Sequence, residues 1–480
     1  MSAETVLVRK GAYYDSVQLM RVSRALADAP GVEAAMVAMA TELNVAVIRD
    51  LGFTVPEAGP GDLLIAVRAR DTDAAVAEAD RQLTTLQRPG TATEQPPLTT
   101  RSAAARAPAD LVLVSVPGEH AFCEAYDAVM AGLPVMIFSD GVPVAQERWL
   151  KELAERRDVL VMGPDCGTAS LGGVGLGFAN VLAPGPVGVV AASGTGAQQV
   201  TSLLDWAGAG VSHILGVGGR DMSAEVGGLS TLRALRLLDE DPATELIVLV
   251  SKPPAPEVAR AVEEAVAGLR TPVVPALLAA PDSGASSAAP DSRASSPAPD
   301  SRASKAVPDS GASHAADLTE ATEQALRALG RPVPEWPSWP GTSRGDAKKT
   351  INGIYAGGTL SLEAAAVAGQ GEFVDYGDDA YTRGRAHPMI DPTLRVEALA
   401  RARETDVVLM DVVLGHGADP DPAASLAPAV ARTPATVVVA LVGTLGDPQD
   451  LHRQAAALRE AGAAVFLSNA QAARHARSLL

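Results

Sequence analysis

The chain has 480 residues, 47% of them hydrophobic, and its formal net charge is −18. This length allows about two to four domains, and the acidity argues against nucleic acid or an anionic membrane surface as a partner. No run of about 18 apolar residues and no amino-terminal signal pattern is present. Only two cysteines occur, Cys123 and Cys166, which favours a reducing compartment. We therefore expect a cytoplasmic protein, with Cys123 on the core face of a helix.

Short apolar segments alternate with helical segments along most of the chain. Residues 1–86 predict a small α/β unit, which resembles an ACT-like regulatory module in element order. Residues 108–182, 186–280 and 350–480 each predict alternating strands and helices with short connections. Strands that read as short runs of Val, Leu, Ile and Ala are typical of parallel sheets covered by helices. The predicted fold class is α/β, with several doubly wound, Rossmann-like or flavodoxin-like parallel sheets.

Between these segments, residues 281–349 predict a disordered linker. PDSGAS or PDSRAS recurs every nine residues between residues 281 and 313, and a Pro-rich stretch follows at 330–346. Pro, Ser, Ala and Asp without apolar periodicity cannot bury enough surface to offset the entropy of ordering the chain.

Two loops that follow predicted strands combine glycines with hydroxyl side chains. They are Ser193-Gly194-Thr195-Gly196 and Gly357-Gly358-Thr359, and a predicted helix begins at each. Ligands of open parallel sheets bind beyond the carboxyl ends of the strands, and a helix amino terminus attracts anions. These two loops are therefore candidate phosphate-binding sites. The alternative is a tight strand–helix turn in which Ser193 only caps the helix.

Other post-strand positions carry positive charge or further glycines. Lys252 and Arg220 would offset the charge of an anion in this acidic chain, although either could be an ordinary surface charge. Gly415, His416 and Gly417 form a third glycine-containing loop, which we expect to contact substrate.

The segment 375–395 is a polar connection with little periodicity. It contains Arg383, Arg385 and His387, which are candidates for pairing with a substrate carboxylate and for moving a proton. A charged loop that only covers a domain is the alternative. The chain has no zinc-ligand spacing and no G-x-S-x-G motif, so metallohydrolase and serine-hydrolase chemistry are not expected.

The motifs together resemble a known family. VPGEHAFCEAYDAVMAGLPVMIFSDGVP, VMGPDCGTASLGGVGLGFANV, PGPVGVVAASGTGAQQV and HILGVGGRDMS resemble the α subunit of succinyl-CoA synthetase in order and spacing. From Ile351 onward, YAGGTLSLEA and MDVVLGHGADPD resemble the carboxyl-terminal domain of its β subunit. A fusion of these parts with DYGDDAYTRGRAHPMIDP resembles the FdrA family. The resemblance implies a CoA-binding-like half at 108–182 and ligase-like domains at 186–280 and 350–480.

The resemblance also implies a role for the two glycine loops. In succinyl-CoA synthetase, two helices point their amino termini at a phosphohistidine, and the matching positions here are residues 193–196 and 357–359. The strand that precedes the synthetase histidine matches TPVVPALLAA, which the PDS repeats follow here, and the nearest histidine is His314. A supporting glutamate of the synthetase matches Lys252. These departures favour an acyl-phosphate site over a phosphohistidine site.

The FdrA resemblance implies an enzyme that works with other subunits on a small anionic substrate. The expected reaction is carbamoyl transfer between carbamoyl phosphate and oxamate, which is oxalurate phosphorolysis in allantoin and purine catabolism. Lys252, His387 and His416 are the expected catalytic residues, and neither a metal nor a cofactor is required. One alternative is an NDP-forming acyl-CoA synthetase whose ATP-grasp and CoA functions lie on partner chains, so that CoA or ATP would bind. The other alternative is a non-catalytic scaffold subunit.

Overall fold

The computed structural model describes residues 2–12, 14–86, 96–278, 286–287, 315–344 and 350–480. These residues form two compact units, one of Met1–Asp165 with Tyr381–Thr393, the other of Cys166–Ala380 with Leu394–Leu480. The PDS repeats lie outside the described residues, apart from a short segment at 286–287. Across the described ranges, no helix combines the length and apolar character needed to cross a bilayer.

The first unit begins with the predicted small α/β unit, which is confirmed. Its strands form an antiparallel sheet in the order β1-β3-β2. Alternate residues of β3, among them Ile65 and Val67, face α1 and α3 in one core, and Leu64 and Ala66 face a smaller core against Ile48. The elements are β1 (Ala3–Arg9), α1 (Ser16–Ala27), β2 (Val32–Met39), α2 (Glu42–Asp50), β3 (Leu63–Ala69) and α3 (Thr72–Leu86).

A second, parallel sheet of the first unit has the order β4-β5-β6. Its elements are α4 (Thr100–Ala104), β4 (Val112–Val114), α5 (Gly118–Met130), β5 (Val135–Ile137), α6 (Val144–Arg157) and β6 (Val161–Met162). The expectation that Cys123 is a core residue is wrong, because α5 buries the face of Ala121 and Ala125 and leaves Cys123 exposed. The predicted segment 108–182 is divided near residue 165, since the strands that follow join the sheet of the second unit.

The first half of the second unit, residues 166–278, is called the α7 half below. Its sheet order is β12-β11-β9-β10-β7-β8, and β9 to β12 are parallel. The parallel part of the sheet starts at β9 and adds β10 on one side and β11 and β12 on the other, so it is doubly wound and its switch point lies between β9 and β11. Strand β7 pairs antiparallel with β10. The elements are β7 (Thr168–Leu171), β8 (Val174–Gly177), β9 (Pro184–Ala191), α7 (Gly194–Trp206), β10 (Val211–Gly216), α8 (Leu229–Glu240), β11 (Leu246–Ser251), α9 (Pro256–Ala267) and β12 (Val273–Leu277).

Part of the predicted disordered linker is folded, which corrects that expectation for residues 315–344. After the short strand β13 (Ser286–Ser287), the chain forms helix α10 (Leu318–Ala328) and strand β14 (Ser338–Trp339). Helix α10 buries an apolar face that includes Leu318, Ala325 and Leu326, and Asp317 caps its amino terminus. This segment therefore has a helical apolar periodicity and a side-chain cap of its own.

The second half of this unit, residues 350–380 and 394–480, is called the α11 half below. Its sheet order is β13-β16-β15-β17-β18-β19-β14, with β15 to β19 parallel, so it repeats the doubly wound topology of the α7 half. The elements from residue 350 onward are β15 (Thr350–Tyr355), α11 (Gly358–Ala368), β16 (Glu372–Asp375), α12 (Asp379–Thr382), α13 (Thr393–Arg401), β17 (Asp406–Val413), α14 (Pro422–Arg432), β18 (Thr436–Val442), α15 (Leu451–Glu460), β19 (Ala464–Phe466) and α16 (Asn469–Ser478).

A buried amide on α7 connects the two halves. Gln199 donates from Nε2 to the carbonyl of Leu467 at 3.1 Å and accepts from the backbone N–H of Asn469 at 2.9 Å. The amide of Gln199 thus both donates and accepts a hydrogen bond between the α7 half and the α11 half. This contact fixes α7 against the start of α16 and helps to hold the amino-terminal ends of α7 and α11 in register.

Candidate anion-binding site

The amino-terminal ends of α7 and α11 lie against each other. A Cβ atom placed on Gly357 would lie 2.4 Å from Oγ1 of Thr195, and one on Gly196 would lie 3.1 Å from Cγ2 of Thr359. Each helix thus places a threonine over a glycine of the other helix. The absence of a side chain at Gly357 and Gly196 is what allows this close approach.

The first turns of the two helices are capped differently. Ser193 caps α7, because the N–H of Gly196 donates to Ser193 Oγ at 3.0 Å. The Ser193 hydroxyl can still donate its own proton. At α11, the cap residue is Gly357, which has no side chain. Thr359 in the first turn is 1% exposed, and among the described residues its Oγ1 has no hydrogen-bond partner.

One cation and one carboxylate border the first turn of α11. A Cβ atom on Gly358 would lie 3.2 Å from Nζ of Lys252, which follows β11, and 2.5 Å from Oδ2 of Asp375, the last residue of β16. Burial raises the pKa of Asp375 to about 6, and the Lys252 ammonium opposes this shift. The site therefore contains a carboxyl group that titrates close to neutral pH.

A buried ion pair holds the loop that leads into α11. Arg395 Nη1 donates to Oδ1 of Asp411 at 3.1 Å and to the Asp411 carbonyl at 2.6 Å. Oδ1 of Asp411 also accepts from the backbone N–H of Ala356 at 2.8 Å. Burial raises the pKa of Asp411, and the Arg395 charge counteracts this effect. The pair thus fixes the backbone immediately before Gly357.

The sequence-based choice of site residues missed Asp375, Asp411 and Arg395. Asp411 could have been noticed as an acid inside the apolar strand DVVLMDVV, where only a paired carboxylate is tolerated. Asp375 is the last residue of β16, at the same sheet edge as Gly357, so the rule that selected the glycine loops also points to it. The position of Arg395 beneath this loop had no sequence signal.

Three predicted residues belong to the other compact unit. Arg383, Arg385 and His387 lie in the segment Tyr381–Thr393, which groups with the amino-terminal part of the chain. Both arginines are exposed, and Nδ1 of His387 accepts from the backbone N–H of Met389 at 3.3 Å. Their assignment to substrate and proton handling remains a prediction.

The remaining predicted residues are Gly415, His416, Gly417 and Arg220, and the structure gives backbone roles to the first three. Gly415 and Gly417 have φ values of +113° and +86° and pack against the backbone of residues 177–180. Between them, the backbone of His416 pairs with Ala179, while its side chain is exposed. Arg220 is exposed in the loop after β10. Contact of these residues with substrate stays a prediction.

Together, the groups at the two helix ends are of the kinds that bind oxyanions. Helix amino termini offer backbone N–H groups and a partial positive charge, and Lys252 adds a full positive charge nearby. The Thr359 hydroxyl is a buried donor without a partner among the described residues. Asp375 is the exception, because an ionised carboxylate repels an anion.

Family models match three segments of the chain. A model described as AllF, heavy metal-associated domain, matches residues 1–100, a CoA-binding domain matches residues 183–275, and a CoA-ligase domain matches residues 354–479. The CoA-binding match thus covers the α7 half, whereas the sequence analysis placed the CoA-binding-like half at 108–182.

The residues of the amino-terminal segment do not fit a heavy-metal site. Residues 1–100 contain neither cysteine nor histidine, so the thiolate and imidazole ligands that heavy metals favour are missing from this segment. Among the residues that the structure describes, no group of three or more His, Cys, Asp or Glu side chains is placed to hold a metal ion.

Several known proteins are similar to this chain. The α subunit 1 of ADP-forming succinate–CoA ligase from Archaeoglobus fulgidus is 31% identical over 32% of this chain and 53% of its own length. The α subunit of malate–CoA ligase from Methylorubrum extorquens is 32% identical over 28% of this chain and 49% of its own length. The chain thus spans about half of each ligase subunit. The uncharacterized protein YahF of Escherichia coli K12 is 36% identical over 99% of this chain and 98% of its own length. Together with the three matching domains, this full-length similarity shows that the chain belongs to the FdrA family.

Proposed function

We propose that the paired amino termini of α7 and α11 bind the phosphoryl group of an acyl phosphate, and that the chain takes part in acyl transfer with phosphate as the leaving group. The observation that carries this proposal is the interlocking of the two helix ends through Thr195 on Gly357 and Thr359 on Gly196. Two helix ends so close together direct two sets of N–H groups toward one region.

The local charge supports a phosphoryl ligand. The whole chain carries a net charge of −18, so an anion needs a local positive site. Lys252 supplies this charge beside Gly358, at the switch point of the α7 half. An ammonium next to the leaving phosphate stabilises the charge that develops there as the acyl–oxygen bond breaks.

The position of Lys252 also favours direct acyl-phosphate chemistry. The resemblance to succinyl-CoA synthetase places Lys252 at the position of a glutamate that supports the phosphorylated histidine of the synthetase. A carboxylate stabilises a protonated imidazole, whereas an ammonium destabilises it and stabilises phosphate instead. We therefore favour a phosphate site without a histidine nucleophile.

The finer form of the proposal is carbamoyl transfer between carbamoyl phosphate and oxamate in allantoin and purine catabolism, as the FdrA resemblance implies. The sequence-based roles of Arg383 and Arg385 toward the oxamate carboxylate, and of His387 and His416 in proton transfer, stay predictions. No cofactor is required in this scheme, and partner subunits would complete the enzyme.

The test is phosphate release from carbamoyl phosphate by the full chain, co-expressed with its partner subunits, with and without oxamate. We expect oxamate-dependent release. Lys252→Gln should lower the rate about 100-fold, the order of loss for one group that stabilises a developing oxyanion. Lys10→Gln, at an exposed lysine of the first unit, is the matched control and should keep the rate. Release that is equal in the wild type and in Lys252→Gln would contradict the proposal.

The second candidate is an NDP-forming acyl-CoA synthetase, which the CoA-binding and CoA-ligase models favour. It requires CoA and ATP functions and a phosphorylated histidine, for which His387 or His416 are candidates. Incubation of the assembled protein with γ-labelled ATP distinguishes the two functions. Acid-labile labelling that His416→Asn or His387→Asn abolishes, without oxamate-dependent phosphate release, would establish the ligase.

A further inference from the structure

Asp375 is a carboxylate in a place where the other groups favour anions. Its Oδ2 lies 2.5 Å from the Cβ position of Gly358, in the first turn of α11, and Nζ of Lys252 lies 3.2 Å from the same point. A dianionic ligand at the helix ends would therefore come close to an ionised carboxylate. Either the carboxylate weakens binding, or it becomes neutral when the ligand binds.

The surroundings of Asp375 already raise its affinity for a proton. Burial raises the pKa of Asp375 to about 6, the Lys252 ammonium and the N–H of Gly377 lower it, and Asp411 and Asp378 raise it. Asp411 is itself paired with Arg395, so its effect on Asp375 is partly compensated. A ligand that draws Lys252 to itself would remove the main positive charge beside Asp375 and add negative charge.

On the basis of the proposed function, we infer that Asp375 takes up a proton when a dianion binds between the two helix ends, and that this proton is the one exchanged with the substrate nitrogen. Like charges at close range favour protonation of the weaker acid, so uptake follows from the position of the carboxylate. Asp375 then serves as both the acid and the base of the acyl-transfer site.

The proton balances the chemical step in both directions. When phosphate attacks the acyl carbon of an N-acyl amide, the C–N bond breaks and its electron pair goes to nitrogen, which takes the proton from Asp375. In the reverse direction, the amide nitrogen attacks the acyl phosphate, and the C–O bond breaks with its electron pair going to the phosphate oxygen, which takes the proton of neutral Asp375. The carboxylate so formed then takes the N–H proton, just as in the forward direction it recovers the proton of the attacking hydrogen phosphate. No redox partner is needed.

A purely structural role for Asp375 makes a different prediction. Oδ1 of Asp375 accepts from the backbone N–H of Gly377 at 2.9 Å, a contact that the Asn side chain can keep through its carbonyl oxygen. If this contact were the whole function of Asp375, anion binding would take up no proton in the wild type or in Asp375→Asn.

The experiment measures proton uptake during anion binding by the full chain. Sodium sulfate is the probe, because sulfate keeps its charge across the neutral range, and inorganic phosphate is measured in parallel. Isothermal titration at pH 7.5 in two buffers of different ionisation enthalpy gives the number of protons bound. We expect an uptake of about one proton per sulfate in the wild type. Asp375→Asn should show none, and Asp379→Asn, at an exposed acid of the same segment, should keep the uptake.

The pH dependence gives a second measurement. Sulfate affinity of the wild type should fall at least about tenfold from pH 6 to pH 8, and that of Asp375→Asn should stay constant. Binding of sulfate without proton uptake, or equal uptake in Asp375→Asn, would overturn the inference and leave the proposed function standing. A wild-type chain that binds neither sulfate nor phosphate would overturn both proposals.

Discussion

The α7 half and the α11 half share a doubly wound topology but contribute opposite charges to the site. In the α7 half, Ser193 caps the helix and Lys252 follows the neighbouring strand. In the α11 half, the cap is a glycine, and the carboxylates of Asp375 and Asp411 lie beside and beneath the first turn. The same backbone framework thus supports a cation on one side and titratable acids on the other. Topology determines where a site lies, and the side chains at strand ends determine its chemistry.

The largest expected effect is the cost of removing a buried counter-charge in the α11 half. Arg395→Met leaves Asp411 as an uncompensated buried carboxylate, so we expect a loss of about 3–5 kcal/mol in the free energy of unfolding. Urea unfolding measures this loss. Arg453→Met, which breaks the exposed pair with Asp421, should cost less than about 1 kcal/mol. A similar cost for the two variants would mean that the Arg395–Asp411 pair is not buried as described.

The acidic α11 half should also respond more strongly to pH. The folded-state pKa of Asp375 is raised from 3.8 to about 6, so the stability associated with its proton is present below pH 4 and is lost as pH rises through 6. That loss amounts to about 3 kcal/mol at neutral pH. Asp375→Asn should therefore be more stable than the wild type in urea unfolding at pH 7.5, with the gain disappearing near pH 4.

The α7 half offers the matched comparison for this pH effect. Burial also raises the pKa of Asp205, which is partly buried on α7 and accepts from the N–H of Ala183. We expect Asp205→Asn to show the same sign and a smaller change. A gain for Asp375→Asn that is equal at both pH values would show that its carboxyl does not titrate in this range.

The smallest effect concerns the interlocked helix ends. Gly357→Ala places a methyl group 2.4 Å from Thr195 Oγ1, and we expect a loss of about 1–3 kcal/mol and weaker sulfate binding. Gly196→Ala meets its neighbours at 2.9 Å or more and should cost less. The double variant Gly357→Ala with Thr195→Gly removes the obstructing side chain, so it should recover stability. Gly61→Ala, with no atom within 4 Å of the new methyl, is the control.

Much of the fold was predictable because parallel sheets leave a strong local pattern. Strands such as LIVLVS at Leu246–Ser251 are apolar throughout, and the helices between them have periodic apolar faces. The fold prediction failed at helix α10, because the composition of the neighbouring segments suggested disorder. Helix α10 lies between the PDS repeats and a Pro-rich stretch, and its apolar face was overlooked beside them.

The site was predictable only as far as backbone chemistry marks it. The glycine loops at 193–196 and 357–359 could be selected from their position after strands, and the structure brings them together. The neighbours of those loops depend on which strands lie next to each other. That order places Asp375, at the end of β16, and Lys252, directly after β11, beside Gly358, although they are 123 positions apart in sequence (375 − 252). The order of the strands within a sheet cannot be read from one sequence.

The bridge from Gln199 to Leu467 has a consequence for folding. It joins residues that are 268 positions apart, so we expect it to form only after both doubly wound halves have their own sheets. Closing so long a loop costs chain entropy before any contact compensates it, so this contact belongs to the late steps of folding. The helix ends that it helps to align should therefore acquire anion affinity last. Recovery of sulfate binding after dilution from urea should lag behind the recovery of helical circular dichroism.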